Sequence, residues 1–426
     1  MSPTPAFANL KNPMAACAVS GHLDTRTAAT EIADTLFDEL GPPIAGGEHL
    51  SDLALIFGSF HHRSAFDDAA AIIRKTISPR VLLGVTAEAV IGAAQELEGV
   101  AGLSAIAMRF PGARVRLHPW HSTPDDPIPL SQPAQVPQRI GLTPGTKDFR
   151  TAIMFGDPFS TPITRLLPAI TDCGSVMNGE GAPHATITVP VIGGMASGAS
   201  QPGVNVMVLN DRVFNAGAIG VSVFGDLDID FIVSQGCRPI GSPFVVTKCR
   251  ENVILELGGR KAIEVLQEMA QELTEAERRM LSRGLLMGTV INEYKERFGR
   301  GDFLIRNIMG LDQKAGGILA GEMCKVGQTV QFHARDAATA AEDLQLLLDA
   351  QVLNATPPFA ALLFSCNGRG QRLFNEPNHD LSIIRERLGE DLPVAGFFCA
   401  GEFGPVGNRS FLHGHTASLA VLRAKS

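Results

Sequence analysis

The chain has 426 residues, 45% of them hydrophobic, enough to bury sizeable cores and, at about 100–200 residues per domain, to build two or three of them. Forty-four acidic residues against 36 basic ones leave a formal charge of -8, so a phosphate backbone meets net repulsion and nucleic acid is not expected as a partner. Seven cysteines are scattered with no C-x-x-C pair, which points away from a disulfide framework or a structural zinc site and towards a reducing, cytoplasmic setting.

The N-terminus, MSPTPAFANLKNPMAACAVSG, has no basic start followed by an apolar core and does not read as a secretory leader. Every long apolar run is broken by Gly, Pro or polar residues, so no membrane insertion is expected. The basic group Arg278, Arg279 and Arg283 is interleaved with Glu275 and Glu277, as on a solvated helix face.

Ile32, Leu36 and Leu40, spaced by four, predict a helix over 28–40. LALIFGS at 53–59 reads as a buried strand, 67–77 as a helix, VLLGVTAEAVIG at 81–92 as a strand running into a turn, and GLSAIAMRF at 102–110 as another strand. His118 to Pro144 carries seven prolines, which remove backbone donors and fix φ, predicting an extended connector or long loop. TAIMFGD at 151–157 then precedes a helical stretch at 162–171, the strand VPVIGGMASG at 189–198, NVMVL at 205–209 and GAIGVSVFG at 217–225.

Residues 228–259 read as strands joined by Gly and Pro turns, and Lys261 to Leu281 as one helix with Ile263, Leu266, Met269 and Leu273 on a face. LLMGTVIN, DFLIRNIMGLD and QTVQFHARD supply further strands, the last followed by a helix at 337–350. AALLFSC at 360–366, a helix at 380–389, PVAGFFCAGEFGPVG at 393–407 and HTASLAVLR at 415–423 close the chain. The order strand, helix, glycine-bearing strand, strand thus occurs three times, either as a duplication or as ordinary α/β alternation. Both predict an α/β protein of mixed sheets with flanking helices. Gly84, Gly194 and Gly401 mark turns where a ligand could approach bare backbone.

The run Cys366-Asn367-Gly368-Arg369-Gly370, then Pro393 to Phe398, Gly401-Glu402-Phe403-Gly404-Pro405 and Phe411-Leu412-His413-Gly414 resembles the C-terminal FIST domain. SQGCRPIGSPFVVTKCRENVILELGGRKAIEVL, DFLIRNIMGLD and VQFHARDAATAAEDL look like segments of the same family, and the first 110 residues resemble the N-terminal FIST domain more loosely. The expected division is a first part of the N-terminal domain at 1–117, the Pro-rich stretch at 118–144, a second α/β unit of that domain at 145–227, and the C-terminal FIST domain at 228–426. The resemblance implies a sensory domain for F-box and intracellular signal transduction. It implies a small ligand, amino acids being the suggested class; it does not imply a catalytic reaction, and no cofactor is expected. With no room for an output module after Ser426, a separate partner protein is expected to read the signal.

The residues themselves suggest where the ligand sits. Cys366 to Gly370 follow a buried strand directly, the usual place for ligand contacts in α/β proteins. The Arg369 fork suits a carboxylate, its alternative being a salt bridge to a nearby acid. Glu402, between Gly401 and Gly404, suits an amine, its alternative being a solvated or capping role. Arg409 and His413 follow in a polar stretch. Arg335 ends a strand beside Asp336, which reads as an N-cap. Arg306-Asn307 lies within a strand. His413-Gly414-His415 alternates faces on a strand, so no metal is expected there, and His61-His62 reads as an exposed loop pair. No G-x-G-x-x-G or P-loop is present. Two other readings stand beside the sensor: a hydrolase or transferase using Cys366 or Cys399 with His413 as base, and a protein-interaction scaffold without a ligand.

Overall fold

The computed structural model describes residues 13–42, 49–111, 114–177, 189–281 and 284–425; the leader reading rests mostly on residues outside that set. It is a mixed α/β protein, with four sheets among the described residues. Two compact units divide the chain. One holds Met1–Val233, Leu347–Leu412 and Ala417–Ser426, the other Ser234–Leu346 and His413–Thr416. The first unit is discontinuous in sequence, because strands near the C-terminus share a core with the first half of the chain.

The first unit contains three six-stranded sheets, each built around a parallel pair joined by a helix. Ser51–Ser59 and Pro79–Ala87 are joined through Phe66–Ile77. Phe149–Gly156 and Val191–Met195 are separated by Ile163–Met177. Pro358–Cys366 and Val394–Cys399 are separated by His379–Leu388. Antiparallel strands flank every pair. On one side the flanking strand comes from another sheet's stretch of chain. Val90–Gly92, which follows the first pair, adds to the third sheet. Glu402–Val406, which follows the third pair, adds to the second. Met207–Leu209, which follows the second pair, adds to the first. This cyclic exchange ties the sheets together through backbone hydrogen bonds.

The inner faces of the three sheets meet in one apolar core. Period-two alternation brings Phe57, Phe155 and Phe364 together, one from each sheet, with ring centroids 5.8, 6.1 and 6.4 Å apart, and Phe397 stacks on Phe57 at 5.4 Å. Outside, Ile32, Leu36 and Leu40 of Thr25–Leu40 lie buried together with Phe66, Ile73 and Ile77 against Ala54, Ile56 and Leu82. Leu166, Leu167 and Ile170 do the same for the second sheet.

The Pro-rich stretch is not a simple connector. Val115–Ser122 is an edge strand of the second sheet, with Pro119 opposite Val221. An edge position leaves the missing donor of Pro119 without consequence. Ile128, Val136, Ile140 and Leu142 then tuck into the outer core.

In the second unit the strands Cys237–Arg250, Thr329–Arg335, Leu285–Val290, Phe303–Asp312, Gly317–Ala320 and Val253–Leu257 pair in that order. The last also pairs with the first, closing an antiparallel barrel. Where the sequence suggested separate strands joined by turns, Cys237–Arg250 is one 14-residue strand. Its register against Thr329–Arg335 shifts between Ile240 and Phe244, where Gly241 has φ 63°, and from Val246 on it pairs with Val253–Leu257. The helix expected over 261–281 is two, Ala262–Glu272 and Glu275–Leu281. Thr274 breaks it by capping the second helix reciprocally with Glu277. Asp336 accepts from the Thr339 N–H at 3.3 Å, the N-cap that the sequence suggested.

Candidate functional site at the strand ends of the first unit

The three parallel pairs deliver their carboxyl ends to a common region. There Thr86–Ala89, Met195–Gly198 and Phe398–Gly401 lace into a ring. Phe398 N–H donates to the Ala89 carbonyl at 3.0 Å and Gly198 N–H to Thr86 at 3.3 Å; Met195 N–H donates to Gly401 at 2.8 Å and Ala400 N–H to Met195 at 3.1 Å. Ser197 Oγ accepts from Glu88 N–H at 2.9 Å and donates to the Phe398 carbonyl. Gly194 must stay bare. A Cβ there would stand 2.4 Å from Cys399 Sγ and 3.0 Å from the Gly401 oxygen.

The Cys366–Gly370 loop sits against this ring. Cys366 pairs with Cys399 across the parallel strands. Asn367 N–H donates to the Cys399 carbonyl at 3.0 Å, and Arg369 N–H to Cys366 at 2.7 Å. Arg372 donates to the Asn367 carbonyl at 3.0 Å and pairs with Glu88. Asn367 Oδ1 is buried with no partner among the described residues. Glu402, fully buried, begins its strand opposite Gly194. Burial first, then the charge of Glu402 and the neighbouring Cys366, push the Cys399 thiol well above its ordinary value.

Next to the loop lies a buried ionic network. Arg369, with 0% exposure, donates Nε and Nη2 to Asp380 at 2.7 and 2.8 Å and lies over the Phe374 ring. Burial alone would raise the Asp380 carboxyl; Arg369 and His379 beside it hold it below its ordinary range. Glu96 accepts from Leu381 N–H at 3.0 Å, and burial, followed by the Asp380 charge, pushes its carboxyl up to about 8. At Gly370 the backbone has φ 58°, and a Cβ would meet the Glu98 carboxylate at 2.5 Å.

Residues 52–260 match the FIST N domain and residues 262–405 the FIST C domain. The chain belongs to the FIST family. FIST domains are associated with signal-transduction sensing. The chain is 36% identical over 409 residues to the uncharacterized protein Rv0628c of Mycobacterium tuberculosis, spanning 95% of this chain and 98% of that one. It is 34% identical over 414 residues to the uncharacterized protein Mb0898c of Mycobacterium bovis, spanning 93% and 96%. Among solved structures, a cyanuric acid hydrolase from A. caulinodans aligns over 97% of this chain and 99% of its own at 10% identity; the TM-score of 0.35 gives that likeness no weight.

Of the positions singled out in this FIST sequence, the first unit gathers Cys366, Asn367, Gly368, Arg369, Gly370, Gly401 and Glu402. The Arg369 fork is engaged by Asp380, the salt-bridge alternative. Arg409 stands apart, paired with Asp172 on the surface at 2.6 Å. Arg335 and His413 belong to the second unit. There the strand ends at His413, and His415 has φ 64°, so 413–415 is a turn and not the alternating strand expected. His61 is exposed, but His62 is fully buried, with Nδ1 at 3.0 Å from Thr25 Oγ1, because a 3-10 turn over Phe60–Ala65 rolls it inward.

Sequence reasoning did not single out Asp380, Glu96, Ser197 or Arg372. Among the described residues no group of three or more His, Cys, Asp or Glu side chains could hold a metal, and no helix is long and apolar enough to cross a membrane.

Proposed function

We propose that this FIST protein is a sensor that binds a small amine-bearing metabolite, an amino acid being the simplest such class, at the strand ends of its first unit. The observation that carries this reading is Asn367 Oδ1: a buried acceptor left without a partner costs about 1–3 kcal/mol. Such a group is most simply explained by a donor that arrives with the ligand. Glu402 adds a buried carboxylate beside the same Cys399. An ammonium is the group that suits both acceptors.

The reading is one of binding without chemistry. The Cys399 thiol is held protonated by burial and its acidic neighbour, the opposite of an activated nucleophile. Ligand contact at Asn367 would bias the Cys366–Gly370 loop and the Arg372–Glu88 pair above it, and a separate partner protein would read that bias. A ligand shifts such an equilibrium only through its differential affinity for the two states.

Thermal unfolding against a panel of amino acids, amines and small carboxylates tests the proposal. A true ligand at 100 times its Kd stabilises the native state by about 2.7 kcal/mol. Asn367→Ala removes an amide oxygen that has no partner among the described residues, so it should leave the unliganded melting temperature unchanged and abolish the ligand-induced rise. A flat panel, or a ligand that stabilises wild type and Asn367→Ala equally, would refute the site.

A further inference from the structure

In the second unit a different set of groups converges. On Phe303–Asp312 the burial pattern alternates, so Arg306 and Asn307 face opposite sides. Arg306 is held on its side by Glu322 at 3.0 Å, which also accepts from Thr289 at 2.6 Å. Asn307 lies opposite Leu286, and Leu286 opposite His333 on the next strand. Arg335, two residues beyond His333, therefore shares the Asn307 face.

The turn 413–416 crosses that face. Gly236 N–H donates to the His415 carbonyl at 3.2 Å and fixes the crossing. His415 is held in the left-handed region at φ 64°, a conformation that non-glycine residues keep only where their surroundings impose it, often at ligand clamps. Its Nε2 lies 3.1 Å from Asn307 Oδ1. That oxygen can only accept, so Nε2 carries the proton and Nδ1 the lone pair. Nδ1 is buried and has no partner among the described residues. Burial, followed by the positive charges of Arg335 and Arg306, holds the imidazole down at about 4, so it is neutral at physiological pH and keeps that lone pair. A planar cationic fork thus stands beside a neutral acceptor.

We propose that the second unit carries a binding site of its own for a small carboxylate with a hydrogen-bond donor on its α carbon. Arg335 takes the carboxylate, and His415 Nδ1 accepts from the α-hydroxyl or α-ammonium group. Guanidinium suits the planar carboxylate, while the unpartnered ring nitrogen selects against acids that lack the donor. This site stands independently of the strand-end site in the first unit.

Carbon-13 labelling at histidine Cε1 in the full chain gives the readout, with the His415 resonance identified by its loss in His415→Asn. Glycolate and glycine should each shift that resonance saturably. Acetate, which lacks the donor, should bind about tenfold more weakly, as expected for one lost hydrogen bond to a buried group. Arg335→Gln should weaken glycolate at least about tenfold, the loss of a charged partner. Asn367→Ala, in the other unit, should leave its affinity unchanged. The absence of a saturable shift, equal affinity for acetate and glycolate, or indifference to Arg335→Gln would overturn the assignment.

Discussion

Replacing Arg369 by Met tests whether its guanidinium is a structural partner or a ligand contact. The native pair is fully desolvated, with side-chain exposures of 0% and 2%, and has two parallel N–H···O bonds. Met keeps an apolar stem of similar length but removes the guanidinium that lies over Phe374, and leaves Asp380 charged, buried and close to Glu96. Uncompensated charges of this kind cost about 3–5 kcal/mol, on the order of 10 °C in melting temperature for a large domain. Trp120, the single tryptophan, is buried in the first unit and donates to Ser222 Oγ at 3.2 Å, so its fluorescence during urea unfolding reports on that unit. The double variant Arg369→Met, Asp380→Asn removes both charges and should recover most of the loss. A loss under about 1 kcal/mol in the single variant, the scale of an exposed pair, or a double variant no more stable than the single, would refute the reasoning. Unchanged stability with lost ligand stabilisation would return Arg369 to the ligand.

Glu96 makes stability depend on pH. Its carboxyl is raised from 4.5 to about 8 in the folded state, so the folded chain holds a proton that the unfolded chain has lost. The resulting stabilisation is full below 4.5 and disappears as pH rises through 8. Glu96→Gln should flatten the melting temperature across that window, and parallel curves for variant and wild type would contradict the assignment. Cys399, buried and with a raised thiol, should resist iodoacetamide at neutral pH in the native protein and react once unfolded. Rapid native alkylation of Cys399, located by mass spectrometry, would favour the nucleophile reading over a sensor.

Much of the local structure was legible in the sequence because it is set by near neighbours. The i, i+4 spacing of Ile32, Leu36 and Leu40 and the apolar runs at 53–59 and 360–366 determined their helix and strands. The short motifs around Cys366 and Glu402 were specific enough to show the family. Local signals failed where two of them competed, as at Thr274, where a capping box interrupts an otherwise continuous apolar stripe.

What only the tertiary structure decided is which distant side chains meet. Arg369 finds Asp380 eleven residues on, and Glu96 reaches Leu381 across 285 positions. Three phenylalanines from three sheets close one core. Each sheet is completed by a strand borrowed from another stretch of chain. Pairings of this kind leave no periodic trace, because a hydrogen bond across a sheet or an ion pair in a core constrains only the residues that meet and not the sequence between them.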